Sequence, residues 1–260
     1  MKQLFNIALL LSLLLGLNAC QTQAEKRLDE NSDKRAKLQY QLGLDALHKQ
    51  LVPKAFEHLY VSDKIRPNQP ETLDAIAYAW RLRGDNTKAE MFYKKAIKHD
   101  AGSATYNNYG SLLVELGQYD KAIKNFNLAL EDPRYRNQTF VFINMGDAYV
   151  GLNKLEEAVL AYRKAGMLDK TWVYPQLKEA AAYTKFNRPN YAQALYETIL
   201  RKEPSNQEAL RELIAVLKGK SEQQLLRLYI LKFIETTSEP LQKAWAKDQL
   251  IILDKVKENE

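Results

Sequence analysis

The side chains of this chain best suited to ligate a metal or attack a substrate are its three histidines, His48, His58 and His99, and its single cysteine, Cys20. No His-Glu-x-x-His, cysteine pair, glycine-rich phosphate loop or G-x-S-x-G elbow accompanies them. His48 and His58 fall within one helical pair, but a zinc site needs a third protein ligand and the sequence places none beside them. The sequence therefore predicts no catalysis, no metal and no cofactor. A different chemistry is available from Asp74, Tyr78, Asn107, Asn108, Ser111, Asn144 and Asp147. Side-chain amides donate and accept at once, so on an exposed wall they hold a peptide backbone without demanding a particular sequence. Buried without partners they would be costly, which favours a groove; the competing reading is of helix-surface residues with no ligand. Asn137-Gln138-Thr139 fits a glycosylation acceptor and is read as incidental.

The elements that position these residues are set by a repeat. Ala55, Ala89, Ala122 and Ala158 recur at separations of 34, 33 and 36 residues. Four residues after each stands a large side chain (Leu59, Tyr93, Phe126, Tyr162), and seven after, a small one (Ser62, Ala96, Ala129, Ala165). Twelve before each is another small residue: Gly43, Ala77, Gly110, Gly146. Small residues facing each other let two antiparallel helices approach closely, and the large residue one turn on fills the space left beside them. Gly84, Gly117 and Asn153 accept the left-handed backbone that ends the first helix of a pair, while Pro67 and Pro204 stop second helices. The pattern resembles the tetratricopeptide repeat.

The fold expected is all-α: a right-handed solenoid of about six helix pairs with a capping helix at the carboxyl end. Clear repeats occupy about 36–69, 70–102, 103–138 and 139–172, and divergent pairs 173–236, within a solenoid over 36–236. Leu177, Ala180, Ala181 and Tyr183 precede an Arg188-Pro189-Asn190 turn in a fifth pair. In the segment 237–260, Leu241, Ala244, Trp245, Asp248, Leu250, Ile251 and Val256 give one mostly apolar face to cover the open end. First helices line the concave wall of such a stack. The inward positions are Asp74, Ala75 and Tyr78 in the second repeat, Asn107, Asn108 and Ser111 in the third, and Ile143, Asn144 and Asp147 in the fourth. Tyr40, Leu44 and Ala75 stand where chaperone-binding tetratricopeptide domains carry a basic clamp, which argues against that ligand.

At the amino end, Lys2 precedes an apolar run from Leu4 to Leu17, too short for a comfortable membrane span. Residues 1–19 read as a secretory signal, and Leu17-Asn18-Ala19-Cys20 resembles a bacterial lipobox in which the Cys20 thiol carries the lipid. Several acyl chains anchor firmly where one is marginal. Residues 20–35 are then a lipidated flexible tether, and Gln21 after the cysteine favours the outer membrane, with the protein on its periplasmic face. The net charge of +6 is modest for 260 residues and no basic run interleaved with aromatics occurs, so no nucleic-acid partner is expected.

Asn107-Asn108-Tyr109-Gly110, Leu116-Gly117-Gln118-Tyr119-Asp120-Lys121-Ala122 and the lengthened link Asp132-Pro133-Arg134-Tyr135 leading to Phe142-Ile143-Asn144-Met145-Gly146 are unusual together. Over about Lys34 to Leu217 the chain resembles the PilW/PilF type IV pilus biogenesis lipoproteins, the pilotins of the pilus secretin. It departs from them at Gly219-Lys220-Ser221. The resemblance implies an outer-membrane lipoprotein that binds secretin subunits and promotes their localisation and assembly, catalysing nothing. A lipoprotein adaptor for peptidoglycan enzymes, or a subunit of an outer-membrane protein assembly complex, would use the same repeats.

Overall fold

A computed structural model describes residues 27–258, so the signal segment, Cys20 and the first part of the tether lie outside the described residues. Helix α1 runs over 27–48 and α2 spans Val52–Ile65. There follow α3 (Pro70–Leu82), α4 (Asn86–Lys98), α5 (Ser103–Glu115), α6 (Tyr119–Ala129), α7 (Gln138–Gly151) and α8 (Leu155–Leu168). Then come α9 (Tyr174–Lys185), α10 (Pro189–Lys202), α11 (Gln207–Lys218), α12 (Gln223–Thr236) and α13 (Pro240–Glu258). Among the described residues there is no strand. The chain divides into two compact units, one ending at Leu112 and one starting at Leu113, a boundary that falls within α5.

Local signals explain the boundaries. Pro53, Pro70, Pro175 and Pro189 stand in the first turns of α2, α3, α9 and α10, where a missing N–H costs no helical bond. Asp85 accepts from the Lys88 backbone N–H at 3.0 Å and caps α4; Asn206 does the same for α11 from Ala209 at 2.9 Å. Within each of the first five pairs the turn contains a residue with positive φ: Gln50 (58°), Gly84 (84°), Gly117 (69°), Asn153 (58°) and Asn187 (55°). These positions carry the repeat register into a fifth pair whose side chains have lost most of the consensus; there the left-handed residue is Asn187, and Pro189 already opens α10.

In the first unit Ala46, Leu47, Ala55, Phe56 and Leu59 pack with Ala75, Ile76 and Ala79 of the next pair. A Cβ on Gly43 would lie 2.6 Å from Leu59, so the small residue at the crossing is required by contact, as the spacing implied. In the second unit Ile143, Leu155, Ala158, Val159, Tyr162 and Ala165 form one cluster with Ala182. A larger cluster runs from Val173 through Ala192, Tyr196, Leu210, Leu213, Ile230 and Phe233 to Ala246.

Two expectations are corrected at the ends. Residues 27–35, assigned to a flexible tether, are helical. Arg66 at the end of α2 reaches back to pair with Asp29 and Asp33, the latter at 2.5 Å, and so ties this first stretch of α1 to the pair. On α13 the covered face is that of Trp245, Ala246, Leu250 and Leu253, whereas Leu241, Ala244, Asp248 and Ile251 are exposed. The edge-on contact of Trp245 with Phe233, with centroids 5.5 Å apart, sets the rotation of the helix; the Val256 side chain lies outside those described.

Candidate functional site

On α3 the buried residues Thr72, Leu73, Ala75, Ile76 and Ala79 fix which way the helix faces, leaving Asp74 half-buried and Tyr78 exposed. Ala75 was expected to point inward beside them; it belongs to the core, because its small side chain packs into the cluster formed with α2. The Asn108 amide of α5 donates to both carboxylate oxygens of Asp74, at 3.2 and 3.0 Å, and the Thr105 hydroxyl also bonds that carboxylate. Burial pushes the Asp74 carboxyl up to about 6; these two bonds oppose the shift, and the nearby Glu71 charge adds to it. Tyr40 of α1 is raised too, first by burial and then by the charges of Asp74 and Glu71. Asn107 and Ser111 are half-buried, and the Ser111 hydroxyl donates to the Asn107 carbonyl at 3.1 Å.

Asn108 thus ties two successive first helices together. A carboxyl whose pKa is higher in the folded than in the unfolded chain stabilises the fold while protonated. That contribution is full below about pH 4 and disappears as pH rises through about 6. Asp74→Asn, which stays neutral and keeps an acceptor for Asn108, is expected to stabilise the protein by about 1–3 kcal/mol at pH 7.5 and by almost nothing at pH 4. Denaturant titrations at the two pH values check this.

Tyr78 keeps its ring accessible, 37% exposed, with the Arg81 guanidinium 6.0 Å from the ring centroid. It borders a cavity of about 550 Å³ lined by Leu47, His48, Gln50, Val52, Tyr78 and Leu82. Three apolar side chains together with an imidazole, an amide and a phenol in the lining suit an apolar side chain of a passing segment whose backbone needs hydrogen-bond partners. His48, exposed at the end of α1, belongs to this lining.

In the second unit Ile143, expected to point inward, is buried in the cluster with Tyr162. Asn144 is half-buried. Asp147 accepts from the Tyr162 hydroxyl at 2.6 Å and pairs with Lys178 at 2.7 Å, so its charge is balanced within the unit. Burial, then the Asp147 carboxylate, drive the Tyr162 hydroxyl far above its ordinary pKa, which keeps it a donor. Lys178 stands 34 residues after Asn144, the repeat position that Asn108 also occupies. One first-helix position thus reaches back to an acid of the preceding pair twice, as Asn108 to Asp74 and as Lys178 to Asp147.

Next to Lys178, Glu179 is 4% exposed and accepts from Arg163 at 2.8 Å; burial raises its carboxyl and Arg163 opposes the rise. Sequence reasoning missed Thr105, Lys178 and Glu179, and only the 34-residue offset from Asn144 pointed to Lys178. Among the described residues no three His, Cys, Asp or Glu side chains are gathered to hold a metal, and His58 bonds Gln39 at 2.8 Å. No helix among them is long and apolar enough to cross a membrane.

Comparison with known proteins agrees with the repeat architecture. The tetratricopeptide repeat family matches residues 103–131 and 141–171, the third and fourth repeats. The type IV pilus assembly protein PilF of Pseudomonas aeruginosa is 27% identical over 167 residues, 63% of this chain and 66%, just under two thirds, of that protein. The solved structure of P. aeruginosa PilF superposes with a TM-score of 0.68 at 22% identity, covering 84% of this chain and 99% of that one. PilW, described as a widely conserved type IV pilus biogenesis factor, gives a TM-score of 0.72 at 15% identity, over 80% of this chain and 96% of its own. At those identities the two structures establish the fold: an all-α tetratricopeptide-repeat solenoid.

Proposed function

We propose that this chain is an outer-membrane lipoprotein, anchored through Cys20, whose repeats bind subunits of a type IV pilus secretin and promote their localisation and assembly. The observation that carries the proposal is the similarity to PilF over 63% of the chain, which spans the stretch holding Asn107-Asn108-Tyr109-Gly110 and the lengthened link before α7. The chemistry of the accessible surface supports it. Tyr78 and the cavity beside it offer a mixed lining of apolar side chains and hydrogen-bonding groups, suited to an extended or helical segment of a partner. In the first unit Asn107 and Ser111 add polar groups on α5, where the Asn108–Asp74 contact holds α3 and α5 in register. In the second unit, taken by itself, Asn144 adds a polar group on α7, and Asp147 holds α7 to α9 through Lys178.

The test is affinity capture of the tagged, full-length protein from detergent-solubilised outer membranes, probed for secretin. Secretin is expected in the eluate. Tyr78→Ala removes an aromatic that is 37% exposed and belongs to none of the buried clusters, so the variant is expected to melt close to the parent and to recover about tenfold less secretin. Capture that brings down no secretin with the parent protein overturns the proposal.

A further inference from the structure

The repeat defines three columns on the first helices that are buried wherever an earlier pair precedes them. They hold Thr72, Thr105 and Val141; Ile76, Tyr109 and Met145; and Ala79, Leu112 and Ala148, none more than 8% exposed. In α1 the same columns hold Leu38, Leu42 and Asp45, and Leu38 and Leu42 are 54% and 38% exposed. No described residue precedes α1 to form an earlier pair. At the other end α13 covers α12, burying Ala246 completely. The molecule thus carries a stacking face on α1 with two leucines on it.

What fits the face follows from its charges. Arg35, Leu38, Leu42 and Asp45 lie on one exposed side of α1, and they are arranged symmetrically about residue 40: leucine two residues to either side, arginine five before and aspartate five after. An antiparallel contact with a copy of itself places like with like at the leucines and opposite charges at the flanks, the self-complementarity a two-fold interface requires. Asp45 pairs with Lys49 at 2.7 Å within the chain, both side chains well exposed, so the carboxylate has room for a second cation. Arg35 makes no ion pair among the described residues.

We propose that α1 is an isologous docking surface for a second copy of this chain, the two helices antiparallel with Leu38 against the partner's Leu42 and Arg35 against the partner's Asp45. The face is about 15 Å long, too small for a permanent dimer, so association is weak and reversible and is favoured where molecules are concentrated on a membrane. It is independent of secretin binding, because Tyr78 and its cavity are not part of it.

The test uses the full chain carrying Cys20→Ser, so that introduced cysteines are the only thiols. Sedimentation velocity over a wide concentration range is expected to show reversible dimers. Arg35→Asp and Asp45→Arg should each weaken dimerisation about tenfold by placing like charges together, and the double variant should restore it to about the parent value. Leu38→Cys mixed with Leu42→Cys is expected to form a disulfide under mild oxidation several times faster than either protein alone, since only the mixture puts the two thiols directly opposite. A chain that stays monomeric at the highest concentration, or single charge reversals that the double variant fails to rescue, overturns the proposal. So does a Leu38→Asp variant that melts well below the parent while monomeric, which would assign the face to residues before 27 of the same chain.

Discussion

Tyr162→Ala is expected to destabilise the second unit by about 3–5 kcal/mol, the range for emptying a large aromatic site in a packed core. The ring is 2% exposed and sits in the cluster of Ile143, Leu155, Ala158 and Ala165, with its hydroxyl 2.6 Å from Asp147. The ring lies against the backbone of α7 at Gly146: a Cβ there would be 2.3 Å from the Tyr162 ring. Gly146→Ala therefore probes the same contact from the other side and should cost about 1–3 kcal/mol by overpacking. Tyr162→Phe, which keeps the ring and removes only the bond to an acid already paired with Lys178, should cost about 1 kcal/mol. Denaturant unfolding of the three variants is the check. Equal stability of Tyr162→Ala and the parent would contradict the packing described.

The second large effect concerns the membrane. Cys20 is the only thiol, at the end of a lipobox-like segment, and each buried methylene of an acyl chain contributes about 0.8 kcal/mol to membrane binding. Cys20→Ala is expected to move essentially all of the protein from the outer-membrane pellet to the soluble periplasmic fraction, with the melting profile unchanged because the repeats begin well after it. Full retention in the pellet would remove lipidation from the proposed function.

The helix-pair register was legible because it rests on contacts within one pair. Gly43 against Leu59 and Gly146 against Tyr162 each join residues 16 apart, and a small residue facing a large one leaves a mark in sequence. The site was less legible because it depends on how successive pairs are rotated against one another. Ala75 and Ile143 were placed on the inner wall by offset alone, but the clusters of the adjoining helices cover them. Asn108, read as a ligand for a passing peptide, bonds Asp74 across 34 residues of sequence, a contact between successive pairs that no single repeat reveals. α13 lies outside the repeat, so no offset fixed its rotation, and the aromatic contact of Trp245 with Phe233 decided which side is covered. Glu179 stands in a column that holds apolar residues elsewhere, and its partner Arg163 lies on a different helix.

The measurement closest to the central claim is the yield of heat-resistant secretin multimers in outer membranes of a strain lacking this protein. The account predicts that multimers are lost in that strain, return with the parent gene, and stay well below the parent level with Tyr78→Ala although that variant is folded and membrane-bound. Undiminished multimers in the strain without the protein would contradict it.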